Sequence, residues 1–227
     1  MEVECNFKRV DWYSGQRRIA AYTGFATSIK NPGASVSVFK GVHQEGKTNR
    51  DVEGLSFVDK KVEEFPRGVR SFFPFLTCLH IEECGLKEIS RRDLFGLENL
   101  KILLLDKNKL KALPDDLFQN MFNLEGIQFS NNDITRMSSK LFKPLNQEKL
   151  ILADFKCNPS IDYCFKPADE DTSLKVLLKN IDEKCELPEG KRADKKYKFL
   201  MKSCEELYVN RSFSDYTQNY FFRCCQA

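Results

Sequence analysis

The sequence predicts an α/β solenoid, a horseshoe whose parallel β-sheet lines the concave face, and three observations predict it. Segments with one leucine spacing begin at Leu76 ("LTCLHIEECGL"), Leu100 ("LKILLLDKNKL"), Leu124 ("LEGIQFSNNDI") and Leu150 ("LILADFKCNPS"), separated by 24, 24 and 26 residues. A weaker copy, "VEGLSFVDKKV", starts at Val52, 24 residues before the next one. The chain on either side lacks the pattern, as expected of end caps, because an open solenoid end would leave its core and sheet edge to water.

The spacing L-x-x-L-x-L-x-x-N/C-x-L, recurring within a 20 to 29 residue period, is that of a leucine-rich repeat. This organises the chain into an N-terminal cap over 1–51, about five repeats over 52–161, a C-terminal cap over 162–187 and a basic, partly helical or disordered tail over 188–227. In each repeat the alternation of apolar and variable positions predicts one short strand with its faces divided every second residue. The pairs Leu55/Phe57, Leu79/Ile81, Leu103/Leu105, Ile127/Phe129 and Ala153/Phe155 are the inward set. No repeat buries its core alone, so the strands must stack.

At the ninth position the chain bends, and Asn108, Asn132 and Asn158, with Cys84 as the small replacement, are placed to hydrogen-bond the backbone groups opened there. The return arm carries Ile89, Leu94 and Phe95, then Leu113, Leu117 and Phe118, then Met137, Leu141 and Phe142. Phe95, Phe118 and Phe142 are expected to stack as a spine, each full burial worth about 1.5 to 3 kcal/mol before entropy is subtracted.

Residues 1–51 are rich in Gly, Ser, Val and aromatics with turn signals at "NPGAS" and "HQEGKTN", which predicts a small strand-rich cap. Downstream, Leu174, Leu177, Leu178 and Ile181 share one helical face, with Asp171, Thr172 or Ser173 as N-cap. Cys164 precedes this helix and Cys185 follows it, where a disulfide would pin the cap; the alternative is two reduced cysteines packed as small apolar groups.

Thirty-six Lys and Arg against 33 Asp and Glu leave a net charge of +3, which argues against nucleic acid as a partner. No apolar run reaches the 18 or so residues of a membrane span. The N-terminus lacks the basic and apolar regions of a signal peptide, so a cytoplasmic location stays open beside an incomplete or mature form of a secreted chain. Nine cysteines leave at least one unpaired if the rest are oxidised within the chain.

With "CNFKRVDW", "HQEGKTNRDVEGL", "FPRGVRSFFPFL" and repeats carrying Asp-Leu-Phe, residues 3 to about 187 resemble the small secreted leucine-rich repeat proteins of dipteran insects. That resemblance implies secretion, binding to another protein, an association with immunity or surface recognition, and no catalytic residues. It also implies a cap built on Cys-x-Phe, Trp and Tyr-x-Cys. Cys5, Phe7, Trp12 and Tyr22 match, while Gly24 stands in the second cysteine position and Ser160 in that of a later one. Cys164 is then placed to take over the pairing with Cys185.

Chemistry-bearing constellations are lacking. His43 and His80 have no partner at metal-ligand spacing, Cys78 with Cys84 lacks zinc spacing, and neither a nucleophile elbow nor a phosphate loop occurs. No cofactor or metal is expected. The reading is a non-enzymatic protein-binding module, an extracellular recognition or scaffold protein, with an intracellular adaptor as the alternative.

The binding surface is expected on the outward strand positions. These form three columns: Gly54, Cys78, Ile102, Gly126 and Leu152; Ser56, His80, Leu104, Gln128 and Asp154; and Val58, Glu82, Asp106, Ser130 and Lys156. Ile102, Leu104 and Leu152, rimmed by Glu82, Asp106 and Asp154, predict an exposed apolar patch for a protein ligand or receptor, or for self-association. Asn210 heads the only glycosylation sequon.

Overall fold

The computed structural model describes residues 1–14, 16–167 and 173–185. Its frame is one nine-stranded sheet in the order β3-β1-β2-β4-β5-β6-β7-β8-β9. A long antiparallel hairpin begins it, β1 (Glu2–Ser14) with β2 (Arg17–Lys30). In β1, buried Val3, Cys5 and Phe7 alternate with exposed Glu4, Asn6 and Lys8, the period of a strand that covers a core with one face. The short β3 (Val38–Lys40) runs parallel to the start of β1.

The repeats supply β4 (Gly54–Val58), β5 (Cys78–Glu82), β6 (Ile102–Leu104), β7 (Gly126–Gln128) and β8 (Leu152–Asp154), all parallel. Register is exact from repeat to repeat: Leu55, Leu79, Leu103, Ile127 and Ala153 are successive partners, so the longer last step of 26 residues is absorbed in the return arm. All ten inward residues named from the strand pattern are fully buried. The return arms are mainly turns, with short 3-10 segments at Val69–Ser71 and Ser139–Phe142.

The bends have a shared geometry. Asp59, Glu83, Lys107, Asn131 and Cys157, each just past its strand, all have φ between 51° and 59°. One residue further on, the asparagine side chain joins adjacent turns. Asn132 accepts from Leu110 N and donates to Leu105 O of the preceding turn and to Phe129 O and Ser130 O of its own. Asn108 and Asn158 repeat the scheme, and at Cys84 the thiol donates to Glu82 O while Asn108 serves the Cys84 and Leu86 amides.

One expectation about the spine is corrected. Phe118 and Phe142 are fully buried, but Phe95 is 82% exposed and Leu94 lies inside. The reason is register: counted from the repeat starts, Leu94, Phe118 and Phe142 are equivalent, whereas the Asp-Leu-Phe motif at Phe95 lies one residue later. The motif draws attention to the phenylalanine; the period decides which side chain faces in.

At the C-terminal end, β9 (Cys164–Phe165) pairs antiparallel with β8, and α1 (Leu174–Lys184) packs on β9 and on the Ser139–Phe142 turn. Ser173 is the N-cap, its Oγ accepting from Val176 N, and Leu177 and Ile181 are buried. The helix is also tied down by Asp182 Oδ1, which accepts from Ser139 N at 2.8 Å.

Candidate binding surface

The outward strand positions do form aligned columns across β4 to β8, but they are not open to solvent. Cys78, Ile102, Leu152, Leu104, Gln128, Ser130, Glu82, Asp106 and Asp154 are all buried, and His80 is only 9% exposed. This corrects the expectation of an exposed apolar patch with an acidic rim. Over Cys78, Ile102 and Leu104 the cover is the chain's own N-terminal hairpin.

Trp12 and Ala21 form a buried cluster with Cys78, Ile102 and Leu104, joined by the half-buried Val10 and Ile19. Its indole N–H donates to Thr23 Oγ1 at 2.9 Å, and its ring meets His80 edge-on with centroids 6.2 Å apart. The far end of the hairpin reaches β7. A Cβ on Gly126 would overlap Ser14 Oγ, and one on Gly54 would overlap Thr23 and lie 2.9 Å from Trp12 Nε1. Arg17 Nη1 is 2.6 Å from Glu125 Oε2, which anchors the tip two strands beyond β5.

Near the C-terminal ends of the strands the electrostatics are uneven. Burial raises the Glu82 carboxyl, but the hydrogen bond and charge of His80, 3.1 Å away, and of Lys107, at 3.0 Å, outweigh it and hold the group at about 2. Asp106 behaves in the opposite sense. Burial first, then the charges of Glu82 and Asp154, push its carboxyl well above the usual range, against hydrogen bonds from Ser130 N and Oγ.

The remaining sequence candidates are placed as follows. Cys164 lies buried in β9 and Cys185 buried at the C-cap of α1. Asn210 and the 188–227 tail lie outside the described residues. His43 is structural: its ring stacks on Phe7 at 4.0 Å, with Nε2 2.8 Å from Asn49 Oδ1 and Nδ1 3.3 Å from the Tyr22 hydroxyl. Gly24, in the position where the family resemblance implies a cysteine, faces Phe7, whose ring a Cβ would meet at 2.9 Å.

Cys5, Cys78 and Cys84 are buried thiols, pushed by burial to about 12, which removes the thiolate a nucleophile needs. Among the described residues no group of His, Cys, Asp or Glu side chains is arranged to hold a metal ion, and no helix is long and apolar enough to cross a membrane. Sequence reasoning missed Trp12, Ser14, Arg17 and Ala21 as occupants of the concave face. The available signal was Gly54 and Gly126 in a column otherwise filled by Cys78, Ile102 and Leu152.

One family comparison agrees with the repeat architecture. A family profile described as leucine rich repeat matches residues 98–154. No curated protein matches the chain. Among solved structures, the chain is similar to one from the crystal structure of the LRIM1/APL1C complex, with 16% identity and a TM-score of 0.43. The match covers 71% of this chain and 32% of that one, so this chain spans less than a third of the length of the structure it matches.

Proposed function

We propose that this leucine-rich repeat solenoid is a non-enzymatic protein-binding module acting outside the cell as a recognition or scaffold protein. The observation that carries the reading is the continuous stack of β4 to β8, flanked by the hairpin and by β9 with α1. Such a stack offers an extended, rigid surface for macromolecular contact. The resemblance to secreted insect repeat proteins adds extracellular recognition, with immunity as the implied process. The partner is a protein ligand or a second copy of the chain; the outward strand residues from Cys78 to Asp154 are buried in this structure and are not its contact surface as they stand.

An intracellular adaptor is the second reading, in which Cys5, Cys78 and Cys84 stay reduced as buried thiols. Expression of the full-length transcript in insect cells separates the two. Intact mass is measured from medium and lysate, with and without reduction and deglycosylation. Protein in the medium, with a Cys164–Cys185 bridge and a glycan on Asn210, supports the extracellular reading. Reduced, unglycosylated protein confined to the lysate overturns it in favour of the adaptor.

A further inference from the structure

We infer that the hairpin tip is an internal occupant of a docking groove, and that the groove takes from a protein partner a segment of the same chemistry: an indole-sized aromatic, a small residue and an arginine. The inference deepens the protein-binding reading and rests on it.

The tip is separable from the fold it covers. Hydrogen bonds between the hairpin backbone and the repeats lie at one end of β2, with Tyr22–Phe25 against Glu53–Ser56. From Lys8 to Tyr22 the two hairpin strands pair with each other. The Trp12 cluster over Cys78, Ile102 and Leu104 is distinct from the main core, which runs unbroken through the repeats to α1.

The surface beneath is shaped to receive such a segment. Gly54 makes room for the indole, His80 meets it edge-on, Gly126 leaves space for a small side chain, and Glu125 takes the guanidinium. The present occupant fills this groove imperfectly. Ser14 is fully buried, yet its hydroxyl has no hydrogen-bond partner, a cost that a small apolar residue at the same place would not carry. Arg17, whose side chain is 55% exposed, supplies an ion pair that salt and competing cations weaken. A segment that keeps the aromatic and the arginine but lacks the stranded hydroxyl competes for the groove.

The test uses the full-length chain and, as probe, a fluorescein-labelled synthetic peptide of residues 8–22. Native-state hydrogen exchange should show the hairpin amides opening roughly tenfold or more faster than those of Leu103 and Ile127. Trp12→Ala should loosen the tip, so that the peptide binds roughly tenfold or more tighter than to the parent as the occluded fraction falls. Adding Gly126→Leu should abolish that gain. Hairpin amides that exchange only together with the repeat strands overturn the inference, as does a peptide indifferent to Trp12→Ala or to Gly126→Leu. If Trp12→Ala fails to fold, exchange in the parent decides alone. These readouts need no natural partner, so their failure is distinct from a failure of the protein-binding reading.

Discussion

Truncating Asn132 to alanine tests whether the bends of the solenoid are held by side-chain hydrogen bonds. Asn132 has four such contacts: Oδ1 accepts from Leu110 N at 3.1 Å, and the two Nδ2 hydrogens are shared among Leu105 O, Phe129 O and Ser130 O at 2.9, 3.1 and 3.2 Å. The carbonyls are not stranded by its loss. Leu105 O retains the donor Asn108, Phe129 O retains Asn158, and Ser130 O retains Lys107 N. Leu110 N has Asn132 as its partner and is left buried without one. An orphaned buried amide costs about 1 to 3 kcal/mol and each lost bond whose acceptor keeps a partner about 0.5 kcal/mol, so a loss of about 3 kcal/mol is expected.

The assay is urea denaturation of the full-length chain followed by circular dichroism, with an unchanged slope and a lower midpoint expected. Its control is the adjacent Asn131, whose Nδ2 makes no hydrogen bond and whose φ of 54° glycine adopts freely. Asn131→Gly should stay within about 1 kcal/mol of the parent. Equal losses at the two positions, or a loss below about 1 kcal/mol for Asn132→Ala, would refute the hydrogen-bond account.

Three further outcomes follow from burial and charge. Phe118→Ala should cost about 3 to 5 kcal/mol while Phe95→Ala, on the exposed side chain, leaves the melting temperature nearly unchanged; matching losses in a thermal scan would contradict the assigned register. Asp106→Asn preserves an acceptor for Ser130 and removes a carboxyl whose ionisation burial opposes, so it should raise stability at neutral pH by about 1 kcal/mol or more. The sign follows from the raised folded carboxyl: the parent gains stability as pH falls through that value, so denaturation across acid pH should show the two chains converging. Leu104→Glu places a carboxylate beneath the hairpin and should destabilise the fold by about 2 kcal/mol or more, where a solvent-facing leucine would tolerate the change; calorimetry distinguishes these.

Much of the solenoid is legible because its causes are local and periodic. A leucine at a given offset meets the leucine of the next turn, so the pattern that marks Leu103 as inward also marks Leu79 and Ile127. Where a local motif and the period disagreed, as at Leu94 and Phe95, the period prevailed, because neighbouring turns rather than adjacent residues determine which side chain is enclosed. The helical cap is readable for a similar reason: Ser173 followed by Leu174, Leu177, Leu178 and Ile181 specifies both a start and a buried face.

The candidate surface is a different matter. Outward positions were identifiable from alternation, but alternation divides a strand into two faces without stating what lies above either one. The sequence by itself determined the repeat, its inward residues and its bends, since each repeats at a spacing the chain can impose on its immediate neighbours. Only the tertiary structure decided that the concave face is occupied. That depends on Trp12 and Ser14 meeting Gly54, Ile102 and Gly126, contacts between residues from 42 to 112 positions apart in the sequence, made possible by the absence of two side chains in the hairpin's path.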